Sequence, residues 1–320
     1  MNTNDLKILQ AYPLWMKVER TKRRIAEWVD YYGEDGVYIS FSGGKDSTVL
    51  LHLVRSLYPE IEAVFCNTGL EYPEIVKFVK DIPNVRILKP ELTFKQVIEQ
   101  KGYPVISKSV ANTVRLARKN IEEGKDTLRV RQIKGLEVGS KFNKGKWEFL
   151  LDAPFKISDE CCNEMKKKPF KKYEKETGKV PFIGTLAAES QQREAVYLKT
   201  GCNAFNSKKP KSTPLGFWTE QDILQYIFEN NLPIASVYGD IVEESDMLGN
   251  KKYRLTGVTR TGCMFCMFGC HLEKEPNRFQ MLKETHPKFH NLLYVLKNNG
   301  VTYAEAIDWV NEHGNMNIKY

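Results

Sequence analysis

The chain has 320 residues, 42% hydrophobic and 28% charged, with a formal net charge of +8 at neutral pH. That balance bounds it to a globular protein of one large domain or a domain with an appendage, and the basic excess suits nucleic acid or an enzyme for anionic nucleotides equally. No run of about 18 apolar residues occurs and the first residues lack a basic-then-apolar leader, so neither a membrane span nor export is expected and the chain reads as cytoplasmic.

Asn4 to Tyr32 reads as a basic packing helix, with Trp15, Val18, Ile25, Trp28 and Val29 forming a broken apolar stripe. Val37-Tyr38-Ile39 then reads as a buried strand, and after Val49 the residues Leu50, Leu53, Val54 and Leu57 recur at helical spacing. Between them, Ser42-Gly43-Gly44-Lys45-Asp46-Ser47 is a strand-to-helix turn. Two glycines allow close backbone approach, and the helix start offers unpaired N–H groups and a positive dipole end, which together make a phosphate site. The loop G-x-x-x-x-G-K-[ST] is excluded, because Ile39 and Asp46 occupy two of its fixed positions, and G-x-G-x-x-G is absent. What remains resembles the pyrophosphate loop of the PP-loop ATP pyrophosphatase superfamily, whose fold is adenine nucleotide alpha hydrolase-like. The resemblance implies cleavage of ATP between its α and β phosphates.

Further along, Ile61 to Cys66 and Val85 to Lys89 read as strands, and Glu74 to Asp81 and Thr93 to Gln100 as helices. This alternation predicts a doubly wound α/β fold with a mostly parallel sheet, whose ligands sit beyond the carboxyl ends of the strands, where Ser42 and Thr68 fall. The run Cys66-Asn67-Thr68-Gly69-Leu70-Glu71-Tyr72-Pro73-Glu74 resembles the D-T-G-x-x-F-P-E element of sulfonucleotide reductases, with Asn67 in place of the usual Asp. Thr68 and Gly69 are thereby candidate nucleotide-binding residues. Lys108 to Lys119 can form an amphipathic helix, and Lys125 to Trp147 reads as a basic, glycine-containing loop, either solvated or a lid or polyanion contact.

Seven cysteines in such a chain point to metal or redox chemistry rather than disulfides. Cys161-Cys162 precedes a basic helix, and Cys263-Met264-Phe265-Cys266 is a C-x-x-C turn with Cys270 beyond. Together they supply four thiolates, Cys161, Cys162, Cys263 and Cys266, a set that suits a [4Fe-4S] cluster first, Zn2+ second and simple buried thiols third. Basic neighbours are expected to favour the thiolate form.

The C-C-x-x-x-K-x-x-P segment with a later C-x-x-C resembles the cluster-binding pattern of the phosphoadenosine phosphosulfate reductase family. Phe182 to Thr185 with Glu189 to Arg193, Pro214-Leu215 with Trp218 to Asp222, and Leu232-Pro233 to Tyr238 are similar to further elements of that family in the same order. The resemblance implies that Ser42, Gly43, Gly44, Asp46 and Ser47 hold phosphates and that Lys166 and Arg193 hold an anionic substrate group. Trp218 and Asp222 read as packing and helix-start residues. The chain contains no E-C-G-[IL]-H motif after Cys270, while its loop is the intact ATP-using form rather than the degenerate reductase version.

These features predict an enzyme that binds ATP with Mg2+, Lys45 orienting the β and γ phosphates, and activates an acceptor oxygen for sulfur transfer, as in relatives that modify DNA or tRNA. Lys45, Asp46, Arg193 and Cys270 are the candidate catalytic residues, with Cys270 a sulfur carrier or alternative ligand and Cys202 an inert thiol. Two alternatives stand beside it: a reductase of phosphoadenylylsulfate or adenylylsulfate using another thiol, and a non-enzymatic iron-sulfur or nucleic-acid-binding subunit. Expected partners are the nucleotide, a sulfur donor protein or reductant, and nucleic acid as acceptor, with no membrane and with homo-oligomerisation left open. Segments 1–32, 33–275 (with an insertion at 102–155) and 276–320 read as N-terminal helix, main domain and helical tail. In the tail, Asn277 to Glu284, Pro287 to Asn298 and Tyr303 to His313 read as helices, and His271, His286, His290 and His313 as surface or capping histidines.

Overall fold

The computed structural model describes all residues except 137–138, 140–141, 246–248 and 250. The excluded positions include part of the basic stretch read as a loop or lid. The chain divides into two compact units, the first comprising 1–67, 71–89 and 170–261, the second 68–70, 90–169 and 262–320.

The first unit is built on four parallel strands, β1 Val37–Ser40, β2 Ala63–Cys66, β3 Val85–Leu88 and β4 Val180–Ile183, in the order β3-β2-β1-β4. Register pairs Ile39 with Ala63 and with Phe182. The helices Lys45–Arg55 and Pro73–Asp81 connect β1 to β2 and β2 to β3, so the expected α/β alternation is present. Strand order reverses between β1 and β4, and that switch point is where a doubly wound sheet opens a crevice for ligands. Tyr38, Val64 and Tyr173 pack together on the sheet, and Ile25 and Trp28 of the N-terminal segment are fully buried.

That segment is two helices, Thr3–Gln10 and Leu14–Tyr32, because Pro13 cannot donate to a continuous ladder and instead caps the second. Trp15, expected in the apolar stripe, is 67% exposed. Trp218 is fully buried and donates from Nε1 to Thr21 at 2.9 Å, while Asp222 closes a capping box with Thr219 and pairs with Lys17 at 2.6 Å. A hairpin of β5 Ile241–Ser245 and β6 Lys251–Leu255 completes the unit.

In the second unit, the helices Phe94–Lys101 and Lys108–Glu122 are followed by a short helix, Leu128–Ile133, within the stretch expected to be loop, and by a 3-10 run Gly145–Asp152. Arg118 donates to the carbonyls of Leu150, Ala153 and Phe155, which ties that run down. The tail starts as expected with Arg278–Thr285, but the helix beginning at Pro287 ends at His290. A two-residue-per-strand hairpin follows, β7 Lys297–Asn298 and β8 Val301–Thr302, before the helix Tyr303–Gly314. Buried Asn298 fixes the hairpin by donating to the carbonyls of Ile98 and Glu99 and accepting from the N–H of Lys156. His290 is buried rather than surface-exposed, packed between the rings of Tyr294 and Tyr320. Among the described residues no helix is long and apolar enough to cross a membrane.

Candidate functional site

The phosphate loop leaves the carboxyl end of β1 and enters the helix at Lys45. Gly43 takes φ +70°, where a Cβ would lie 2.7 Å from Ile75 and 2.8 Å from Val79, so only glycine fits without displacing that helix. At the end of β4, a Cβ on Gly184 would meet the Asp46 carbonyl at 3.1 Å, so the β4 end packs backbone to backbone against the loop. The two serines close on each other, with Ser42 Oγ and Ser47 Oγ 3.0 Å apart and Ser47 Oγ donating to the Gly44 carbonyl at 2.8 Å.

Lys45 is 5% exposed, and its Nζ sits 3.1 Å from the Thr259 carbonyl and 3.2 Å from Glu220. Its backbone N–H donates to the Tyr238 hydroxyl at 3.2 Å, and that hydroxyl also meets Thr261 Oγ1 at 2.6 Å. Asp46 Oδ1 is buried with no hydrogen-bond partner among the described residues, and burial pushes its carboxyl up against the opposing pull of Lys45 and Arg193. Arg193 pairs with Glu189 one helical turn before it. Lys45, Asp46, Glu189, Glu220 and Arg260 line a cleft of about 80 Å³, room for a phosphoryl group and not for a whole nucleotide. Lys45 and Arg193 are thus both in electrostatic reach of Asp46. Sequence reasoning missed Arg260, Glu220 as the partner of Lys45, and Tyr238 as the group on the helix start. The run Leu232-Pro233 to Tyr238 carried the signal for the last.

Thr68 and Gly69 fall in the second unit, where Thr68 Oγ1 accepts from the N–H of Leu70 at 3.2 Å and the Leu70 carbonyl accepts from the N–H of Met264 at 3.2 Å. The Thr68–Leu70 loop therefore lies against the C-x-x-C turn. Among the described residues no disulfide joins any of the seven cysteines. Cys161 and Cys162 open a π-helical turn, Asn163–Lys167, an irregularity that often marks a functional position. Cys161 feels Cys162 and Cys266, Cys263 feels Cys266 and Cys161, and Cys266 feels Cys162, so the four expected ligands gather in one neighbourhood. Burial dominates the basic neighbours expected to favour thiolate: the Cys161 thiol is pushed up to about 12 and Cys263 and Cys266 are raised, with Lys166 acting weakly the other way on all three. Without a metal these thiols stay protonated at neutral pH.

Cys270 is 2% exposed, hydrogen-bonded to Glu273 and pushed up to about 12 by burial, which leaves it a neutral thiol without solvent access. Cys202 is likewise buried, against the Tyr197 hydroxyl at 3.1 Å. Of the histidines, His271 has a buried Nδ1 without a hydrogen-bond partner among the described residues and packs edge-on to Trp147. Among the described residues no three His, Cys, Asp or Glu side chains converge on one point closely enough to hold a single metal ion.

A four-stranded parallel sheet with a glycine loop at its switch point places the chain among doubly wound α/β proteins. Residues 36–117 and 96–268 match the phosphoadenosine phosphosulfate reductase domain, and the chain belongs to that family. It is 26% identical over 221 residues to adenosine 5′-phosphosulfate reductase of Staphylococcus epidermidis, covering 67% of this chain and 70% of that protein. It is 23% identical over 279 residues to the enzyme of the same name from Oceanobacillus iheyensis, covering 80% and 93%. An uncharacterized protein of Methanocaldococcus jannaschii is 25% identical over 272 residues, 84% of this chain, which spans about half (49%) of that relative. Phosphoadenylyl-sulfate reductase from Candida auris, solved as a phosphate complex, aligns over 74% of this chain and 90% of its own at 16% identity and a TM-score of 0.40.

Proposed function

We propose that this chain binds ATP with Mg2+ at the Ser42–Ser47 loop, cleaves it to AMP and pyrophosphate, and activates an acceptor for sulfur transfer. The observation that carries the reading is the loop itself. Gly43 in a left-handed conformation that favours glycine turns the chain into the helix start, where a buried Lys45 and Arg260 offer two cations and Asp46, Glu189 and Glu220 three carboxylates, a mixed-charge cleft suited to a polyphosphate carried with a divalent cation. Asp46 Oδ1, buried and without a partner among the described residues, suits the magnesium ion that accompanies ATP. An acceptor oxygen attacks the α phosphorus; the new O–P bond replaces the α–β bridging P–O bond, and pyrophosphate leaves with that electron pair. The acceptor oxygen is then a good leaving group, displaced as AMP by a sulfur nucleophile from a donor thiol or persulfide.

Cys161, Cys162, Cys263 and Cys266 are the residues that would hold a [4Fe-4S] cluster, which supplies electron-transfer or sulfur-handling chemistry when bound. Their donor chemistry suits it: four thiols gathered in one neighbourhood.

The second reading, reduction of adenylylsulfate or phosphoadenylylsulfate with an external thiol, is favoured by the similarity to the staphylococcal and Oceanobacillus adenosine 5′-phosphosulfate reductases. Anaerobic purification with iron, sulfide and zinc analysis, then product analysis with ATP and with the sulfonucleotides, separates the readings. AMP and pyrophosphate from ATP, with iron lost in Cys162→Ser or Cys263→Ser, supports activation. Sulfite release with ATP untouched overturns it in favour of reduction, and binding of nucleic acid with neither turnover points to a non-enzymatic subunit.

A further inference from the structure

Two residues of the C-terminal segment grip the C-x-x-C turn from outside. Arg278 donates from Nη1 to the Cys266 carbonyl at 2.8 Å and is itself fixed by Glu273, which accepts from its Nε at 2.9 Å, from Nη2, and from its backbone N–H at 3.1 Å. Tyr303 donates its hydroxyl to the Phe265 carbonyl. Its ring is fully buried, edge-on to Tyr103 at 4.8 Å and 6.3 Å from Phe279.

Each residue is the first of its helix, and each helix start is locked by its own capping box, Asn277 with Gln280 and Thr302 with Glu305. The grip is therefore set by local chain geometry and does not depend on the turn. Both grips fall on backbone carbonyls of the turn, Tyr303 on that of Phe265 between the two cysteines and Arg278 on that of Cys266 itself.

We infer that Tyr303 and Arg278 are positioning residues for the thiolate centre, holding the backbone of the turn that carries Cys263 and Cys266. The inference rests on the reading of these cysteines as cluster ligands. The Arg278 guanidinium held on the Cys266 carbonyl favours the more negative, reduced state of a cluster on these thiolates, so loosening the turn disfavours reduction.

The test is Tyr303→Phe in the full chain, which keeps the ring and removes only the hydroxyl, with Arg278→Ala beside it. Iron content and a redox titration followed by visible absorption are read on the loaded protein, and amide hydrogen exchange across 263–270 on the metal-free protein. Tyr303→Phe is expected to keep the iron content of the parent, to lower the reduced-to-oxidised ratio at fixed poise by about tenfold, or about 59 mV for a one-electron couple, and to accelerate exchange at residues 265–268. An unchanged potential in an iron-replete variant overturns the inference. If the parent protein holds no iron, the cluster reading fails by itself and exchange alone judges the grip: faster exchange confined to 265–268 upholds it, unchanged exchange removes it.

Discussion

The Lys45 ammonium lies 3.2 Å from Glu220, a half-exposed carboxylate at the start of the helix Glu220–Glu229. On the proposed ATP reading, an incoming triphosphate would compete with that carboxylate for the same charge. Glu220→Gln is expected to tighten ATP binding roughly fivefold, the worth of about 1 kcal/mol for a half-exposed ion pair, and to weaken its salt dependence little. Titration calorimetry with ATP checks this; equal or weaker binding would show that Glu220 assists the nucleotide instead.

Gly43→Ala places a methyl group within 2.8 Å of both Ile75 and Val79 while demanding φ +70° of a residue with a Cβ. Strain and overpacking together are expected to cost about 2–4 kcal/mol and to abolish nucleotide binding. Urea unfolding monitored by the fluorescence of buried Trp28 and Trp218 reads the first, and nucleotide titration the second. A variant of parental stability that still binds ATP would place the loop in another conformation when loaded.

The βα alternation, the glycine loop and the gathering of four cysteines were legible because each depends on local pattern: strand and helix periods, a phosphate turn, and short cysteine spacings. The hairpin of β5 and β6 was not, since its strands are charged and its pairing is held by Glu243 with Lys251 and Glu244 with Arg254 across the ladder rather than by an apolar face. The tail misled because Leu292, Leu293 and Leu296 keep helical spacing past His290, yet Asn299 and Gly300 both take positive φ in a tight turn. That Asn-Gly pair is a hairpin signal readable from sequence. Arg260, Arg278 and Tyr303 carried no local signal; only tertiary packing brings them to the loop or the turn.

The Lys17–Asp222 pair joins the N-terminal helix to the helix after Trp218, with Lys17 only 2% exposed. Asp222→Ala leaves the ammonium buried against the Gln10 carbonyl without its carboxylate and opens the capping box at Thr219. The expected loss is about 3–5 kcal/mol, whereas replacing both residues, Lys17→Met with Asp222→Ala, is expected to recover part of it. Denaturant unfolding of the two variants decides; a single variant no less stable than the double would mean that Lys17 escapes to solvent.

Glu62 illustrates how pH enters this fold. Its burial raises the carboxyl, but the Tyr173 hydroxyl at 2.6 Å and Arg86 Nε at 2.9 Å outweigh that and hold it below the ordinary carboxylate range. A depressed native pKa means the unfolded chain takes up a proton first as pH falls. The stabilisation is therefore full above about pH 5, beyond the unfolded value near 4.3, and is lost as pH drops through the native value. Glu62→Gln is expected to lower stability by about 1–2 kcal/mol at pH 7, the range for hydrogen bonds to a charged group with one partly exposed partner, and the gap to the parent should close towards pH 3. Urea midpoints of both proteins at pH 7, 5 and 3.5 read the gap directly. A gap that stays constant with pH would assign the loss to packing against Tyr173 and not to the carboxylate.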